Sequence, residues 1–413
     1  MSFQYLWDNI SHANEFMGAI VGVLTFAGSC FGFGCWIGNW GDKRKIGALT
    51  HENDKLKVES SRLSARLTAI DTRVNANEDY WMRPPQPTFD ATLHRGQLSG
   101  SIPIISIVNF KGGVGKTTIC ANLAAYFARA GKRVLLIDFD YQGSLSDMML
   151  SHARIDRFSA TSQKLIEGRE TASQLRSIAE RLSSLSSDLW LYPAFYGFNR
   201  SEVQVMLRWL TDETPEVRYH LHDYLQSYPF QADASTAFDL VLIDCPPRLL
   251  TGSVNALAAS THVLVPTILD GQSHVATLNT LGAIQRFRQT INRNLKTIGV
   301  VPSMVADASG DYNPRERQFI EELERQITTF HDPVPVLKDR AIVRKEQLAR
   351  AGGNEVVFFS SSNDQKTQDI RAMFSNLARY IEQQINWTHA GAAARIIDLR
   401  GAYDNDRRVA AGS

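Results

Sequence analysis

The segment from Ile102 to Gly131, IPIISIVNFKGGVGKTTICANLAAYFARAG, constrains the fold more than any other part of this chain. Its first nine residues are a β-branched apolar run, the pattern of a strand buried on both faces. A glycine-rich turn follows, and the remainder carries helical periodicity up to a glycine stop. Glycines in such a turn let backbone N–H groups approach an anion, and the helix amino terminus adds partial positive charge. The turn departs from G-x-x-x-x-G-K-[ST] in two places. Phe110 stands where the first glycine is usual, and Lys111 brings a second lysine. Lys116 is expected to reach the β- and γ-phosphates of a nucleotide, and the Thr117 hydroxyl to ligate Mg²⁺. The expected nucleotide-binding set is Lys111, Gly112, Gly113, Val114, Gly115, Lys116, Thr117 and Thr118.

Four further apolar runs continue the alternation with helical stretches: RVLLIDFDYQ (133–142), FDLVLIDCPP (238–247), THVLVPTI (261–268) and TIGVVPSMV (297–305). Repeated strand–helix units imply a mostly parallel sheet with helices on both faces. Ligands of such sheets bind beyond the carboxyl ends of the strands, where Asp138, Asp140 and Asp244 fall. Asp244 closes its run in the Walker-B manner and is expected at a metal's water shell. Asp138 and Asp140 share a strand face by period two, so spacing alone cannot separate their roles.

The amino-terminal third reads differently. Residues 16–40, FMGAIVGVLTFAGSCFGFGCWIGNW, carry no charge and are long enough to cross a bilayer as a helix. A cleaved signal peptide would need a basic start, yet no Lys or Arg precedes Lys43. A buried core helix is the other reading, but Trp36 and Trp40 suit an interfacial belt. The DKRK stretch at 42–45 places the following chain on the cytoplasmic side. Residues 1–15 are then extracytoplasmic, and the protein is single-pass in the inner membrane. Beyond it, Leu49, Leu56, Leu63 and Ile70 repeat every seven residues, with Ile46, Asn53, Ser60, Leu67 and Val74 at the other seam position. Residues 43–80 therefore read as a helical stalk, either a coiled coil with a second copy or one amphipathic helix lying on another surface. Three prolines mark 81–100 as a linker. The chain has 44 basic and 43 acidic residues, so any nucleic-acid contact must be local. Its four cysteines lack C-x-x-C spacing and suggest neither disulfides nor zinc.

KGGVGKTT, LLIDFDYQGS, FDLVLIDCPP, NALAASTHVLVP and IGVVPSMV together resemble the ParA/MinD family of deviant Walker-A P-loop ATPases. The resemblance covers about 102–385 and sits inside an expected ATPase domain at 101–390, followed by a tail at 391–413. It implies a P-loop NTPase fold, ATP and Mg²⁺ as cofactors, slow regulatory hydrolysis and an ATP-sandwich homodimer. It also implies that Lys111 is the signature lysine reaching the partner copy's phosphates, as an arginine finger does. Asp140 then orients the attacking water, making Lys111, Lys116 and Asp140 the catalytic set, while Thr117, Asp138 and Asp244 surround the metal.

Residues 147–235 are longer and more helical than a minimal member needs. The stretch 336–353 carries Arg340, Arg344 and Lys345, which fit either DNA phosphate contacts or a solvated face broken by Asp339 and Glu346. The favoured expectation is a membrane-anchored ATP switch read by an unidentified partner protein. A nucleoid-to-membrane DNA tether and a capsule regulator resembling bacterial tyrosine kinases are the alternatives. A tyrosine-rich tail would favour the kinase, but the chain beyond its last expected strand and basic stretch shows only Tyr380 and Tyr403.

Overall fold

A computed structural model of the chain describes residues 43–75, 80–83, 102–212, 216–227, 238–306, 312–344 and 356–385. The expected extracytoplasmic start (1–15), membrane span (16–40), linker beyond residue 83, Lys345 and tail (391–413) lie outside the described residues. Among the described residues no helix is long and apolar enough to cross a membrane. The chain divides into two compact units, Met1–Asp71 and Thr72–Ser413.

Helix α1 spans Lys43–Asn75, supplies the described residues of the first unit up to Asp71, and ends short of the expected stalk boundary at 80. Its 33 residues extend about 50 Å at the α-helical rise. Two of the heptad leucines, Leu56 and Leu63, are 51% and 43% exposed. A lone helix gains little stability from propensity, so an exposed apolar seam calls for a packing partner.

The second unit corrects the start of the linker assignment. Tyr80–Met82 form a 3-10 turn that packs into the body, and Trp81 is only 2% exposed. The Trp81 ring stacks on Trp209 at 4.9 Å, and the Tyr80 hydroxyl lies 3.5 Å from the Met206 sulfur. The buried Arg218 guanidinium donates to the carbonyls of Trp81 and Arg83 and pairs with Glu216. The two large aromatic rings carry too much apolar area to remain in water. Trp81→Ala is expected to destabilise this unit by about 3 kcal/mol, measured as a lower urea midpoint.

In chain order the body contains β1 (Ile104–Ile107), α2 (Lys116–Arg129), β2 (Val134–Asp138), α3 (Ser144–Ala153), α4 (Gln163–Glu167), α5 (Ala172–Ile178), β3 (Glu180–Arg181), β4 (Leu189–Tyr192), α6 (Gly197–Asp212) and α7 (His220–Gln226). It continues with β5 (Leu240–Asp244), α8 (Thr251–Ala259), β6 (His262–Ile268), α9 (Gly271–Thr290), β7 (Lys296–Val305), α10 (Pro314–Ile327), β8 (Ile342–Val343) and α11 (Gln365–Gln384). The sheet order is β3-β4-β2-β5-β1-β6-β7-β8, and every pairing is parallel except β3 with β4. Alternate residues serve opposite layers. Leu135, Ile137, Val241 and Ile243 join α8 and α9 in one core, whereas Val134, Leu136, Leu240 and Leu242 join α2 and α11 in the other.

The five expected strands are present, and three more were hidden. The stretch 162–187 reads as helical, but it breaks at Gly168, whose φ is +68°. A Cβ there would meet the His220 ring at 2.5 Å. A capping box between Thr171 and Gln174 restarts the helix, which then gives way to β3. Strand β4 is only the four residues LWLY, too short for periodicity to distinguish from a helix turn.

Candidate nucleotide site

The phosphate loop joins the carboxyl end of β1 to the amino end of α2. Gly113 and Gly115 adopt φ of +75° and +83°, where a side chain would be strained. A Cβ built at Gly112 or Gly113 meets nothing within 4 Å, so the face of the loop is an open cradle. Phe110 has no positive φ, which explains why no glycine is needed there. Its N–H donates to Thr280 Oγ1 on α9, and the Asn109 side chain ties the loop to Pro266 O at 2.8 Å. On the far side, the Ser303 hydroxyl donates to Val114 O at 2.7 Å. Three neighbouring elements therefore hold the loop's shape in advance of any ligand.

The two lysines of the loop have separate stations. Lys116, 7% exposed, donates from Nζ to the carbonyls of Asn109 and Lys111 at 3.0 and 2.8 Å. Burial lowers its pKa, and Asp244 opposes that shift. Lys111 turns away to Asp270 Oδ1 at 3.1 Å and to Ser273 Oγ at 2.7 Å. Asp270 also caps α9 by accepting from Ser273 N–H at 2.7 Å, and this bond with the Lys111 contact helps hold its carboxyl below the usual range despite some burial.

Thr117 donates its hydroxyl to Asp244 Oδ2 at 2.7 Å. The other oxygen, Oδ1, is buried without a hydrogen-bond partner. Burial drives the Asp244 and Asp138 carboxyls upward, and for Asp138 the neighbouring Asp244 adds to the effect. An orphaned carboxylate oxygen beside a threonine hydroxyl suits a hard divalent cation. Among the described residues no cluster of three or more His, Cys, Asp or Glu could hold a metal alone, so such a cation would take water or phosphate oxygens as further ligands.

Asp138 and Asp140 part company in space. Asp138 is fully buried, accepting from Asp140 N–H at 2.9 Å and from the Ser146 N–H and hydroxyl at 3.0 and 2.7 Å. It organises the loop behind the site, with no oxygen left unbonded. Asp140 lies past the strand end, half-buried, and its Oδ1 accepts from Gln142 N–H at 3.0 Å. Gly143 closes this loop at φ +66°, and a Cβ there would strike Ala194 O at 2.6 Å.

Sequence reasoning missed Asp270, Ser273, Ser146, Glu202 and Arg248. The first three are short polar residues at helix starts, a signal shared with ordinary caps. Glu202, 1% exposed on α6, accepts from Gly252 N–H at 2.9 Å and from Arg248 at 3.3 Å. Burial pushes its carboxyl up to about 7, against the pull of those two donors. Between the ordinary glutamate value and pH 7 the unfolded chain has released a proton that the folded chain retains. Stability from this residue accordingly falls as pH rises through that window and is level above it. Relative to Glu202→Gln, whose amide mimics the protonated carboxyl, the wild-type melting temperature should therefore fall from pH 5 to pH 8.

Of the expected DNA-binding residues, Arg340 stacks its guanidinium on the Tyr380 ring at 4.3 Å, and Arg344 is exposed with its Nε 3.2 Å from Met304 O. The described part of their segment is a 3-10 turn followed by β8.

Residues 102–297 match the family model described as an AAA domain. The chromosome-partitioning ATPase Soj of Treponema pallidum is 31% identical over 223 residues, covering 54% of this chain and 76% of that relative. The chain belongs to the ParA/MinD family of P-loop ATPases. Chromosome partitioning protein ParA of Caulobacter vibrioides is 32% identical over 201 residues, covering 49% of this chain and 69% of its own. A putative replication protein A of Sinorhizobium fredii is 33% identical over 187 residues, with the match spanning 44% of each chain. Among solved structures, apo McdA of Cyanthece has a similar fold, with a TM-score of 0.54 at 18% identity over 68% of this chain and 99% of that one. Cobyrinic acid a,c-diamide synthase of Mycobacterium smegmatis, solved with an ATP analog and magnesium, has a TM-score of 0.51 at 23% identity over 69% of this chain and 98% of that one.

Proposed function

We propose that this ParA/MinD-family chain is a membrane-anchored ATP switch in which two copies close around Mg-ATP and present their state to a partner protein. The observation that carries this reading is the separation of the two lysines. Lys116 already fills the station over its own loop, while Lys111 is held apart by Asp270 and Ser273. A second cation parked at the loop's edge is useful to a nucleotide bound by another copy.

In the closed pair, Thr117 and Asp244 would hold Mg²⁺, and the open face above Gly112 and Gly113 would admit the phosphates. Bound there, the cation would supply positive charge against the charge that develops on the phosphates. Lys116 stabilises the same charge within its own subunit, and Lys111 adds to it across the interface. Asp140 orients the attacking water and takes its proton, with Asp138 holding the Asp140 backbone in place. Hydrolysis is slow because complete sites exist only in the closed dimer.

The anchor is the uncharged run at 16–40, and the basic stretch after it places the ATPase on the cytoplasmic side of the inner membrane. Exposed Leu56 and Leu63 on α1 support a stalk paired with a second copy. Tethering would hold two heads at an effective concentration of roughly millimolar. ATP then controls closure of a standing pair. Light scattering on the detergent-solubilised full chain should report a dimer without nucleotide. A monomer under that condition removes the paired stalk. Absence of Mg²⁺-dependent ATP hydrolysis removes the switch itself. Among the described residues the DNA-tether reading would rest on Arg340, stacked on Tyr380, and on exposed Arg344.

A further inference from the structure

Arg248 has no part in the scheme above, yet it connects three elements at the site. It lies four residues beyond Asp244, and its guanidinium sits over the Tyr141 ring at 4.4 Å. Tyr141 directly follows Asp140. One terminal nitrogen of Arg248 is 3.3 Å from both Asn199 Oδ1 and Glu202 Oε2 on α6. Glu202 is locked in turn: Oε1 accepts from Gly252 N–H at 2.9 Å, and its backbone carbonyl accepts from the Thr251 hydroxyl at 3.0 Å. The Ser253 hydroxyl returns to Arg248 O at 2.7 Å. A polar side chain this buried is kept where hydrogen-bond partners satisfy it, and Glu202 has Gly252 and Arg248, so the arrangement is a built one.

We propose that Arg248 is a positioning residue for hydrolysis, clamping Tyr141 so that the Asp140 carboxylate faces the attacking water. Phe139 is anchored by its N–H bond to Asp244 O at 3.0 Å and its stack on Phe198, and beyond it the turn is braced by short-range bonds: Asp140 N–H to Asp138, Gln142 N–H to Asp140 Oδ1, and Gly143 N–H to Asp140 O. Tyr141 lies inside the turn closed by the Asp140 carboxylate, so movement of its ring swings the carboxylate. The guanidinium provides the external hold, because a planar cation can stack on a ring and bond a carboxylate at once. Glu202 and Asn199 place α6, part of the added helical region, in command of the catalytic loop.

This inference rests on the ATPase reading, and the test separates the two. Steady-state ATP hydrolysis and fluorescent-ATP binding are measured on the detergent-solubilised full chain. The set comprises wild type, Arg248→Ala, Tyr141→Leu, the double variant and Tyr141→Phe. Arg248→Ala and Tyr141→Leu should each lower kcat by about 10–100-fold with KM and nucleotide affinity unchanged. The double variant should be no worse than the worse single one, since both break the same contact. Tyr141→Phe keeps the ring and should restore kcat. Full kcat in Arg248→Ala, a loss expressed in KM alone, or multiplying losses in the double variant would overturn the proposal. If Arg248→Ala fails to fold, the Leu and Phe variants of Tyr141 decide it, with equal kcat overturning it. A wild type unable to hydrolyse ATP would instead remove the ATPase reading.

Discussion

Lys111→Ala should lower ATP hydrolysis by about 10³-fold or more, the loss typical of a cation that touches the transferring phosphoryl group. ATP binding to a single subunit should survive, because Lys116 and the backbone cradle remain. Phosphate release and fluorescent-ATP titration on the same preparation measure the two quantities. The ion pair with Asp270 sharpens the expectation. With Asp270 40% exposed, that pair is screened by solvent and contributes little to stability. The lysine can therefore leave it for a triphosphate, and its removal should not shift the melting temperature appreciably. If hydrolysis persists at wild-type rate in Lys111→Ala, the cross-subunit role is wrong.

Asp140→Ala should lower hydrolysis by about 10²–10⁴-fold, the usual span for a positioned general base. Unlike the lysine variant, it should retain every contact that holds ATP and so accumulate in the closed, nucleotide-bound state. Chemical crosslinking in the presence of Mg-ATP should show more closed dimer than wild type, and a membrane pull-down in that state should enrich the partner. Asp138→Ala is expected to behave differently. It leaves the Ser146 N–H and hydroxyl and the Asp140 N–H without their acceptor inside the core, so it should first appear as lost stability. A pair of variants two residues apart thus separates a chemical carboxylate from a structural one.

Much of this site was legible because its chemistry is local. A phosphate loop needs glycines, a lysine and a hydroxyl at fixed spacing, and each of them lies within ten residues of the others in the chain. Strands buried on both faces announce themselves as β-branched runs, which is why β1, β2, β5, β6 and β7 could be read directly. Strands β3, β4 and β8 could not, being two to four residues long and dependent on neighbouring strands for their hydrogen bonds. Tyr80 and Trp81 were assigned to a stalk and a linker because nothing nearby in sequence predicts Trp209 beneath them.

The order of residues alone determined the fold class, the phosphate cradle, the set of acidic strand ends and the family. Folding decided what each charge does. It buried Asp138 against Ser146, left Asp140 at the rim, parked Lys111 on Asp270, and brought Arg248 and Glu202 to the catalytic loop. These assignments depend on partners from 8 to 159 positions away, and on which way a chain turns after its last paired residue. Burial and pairing are properties of space, so periodicity and spacing cannot contain them.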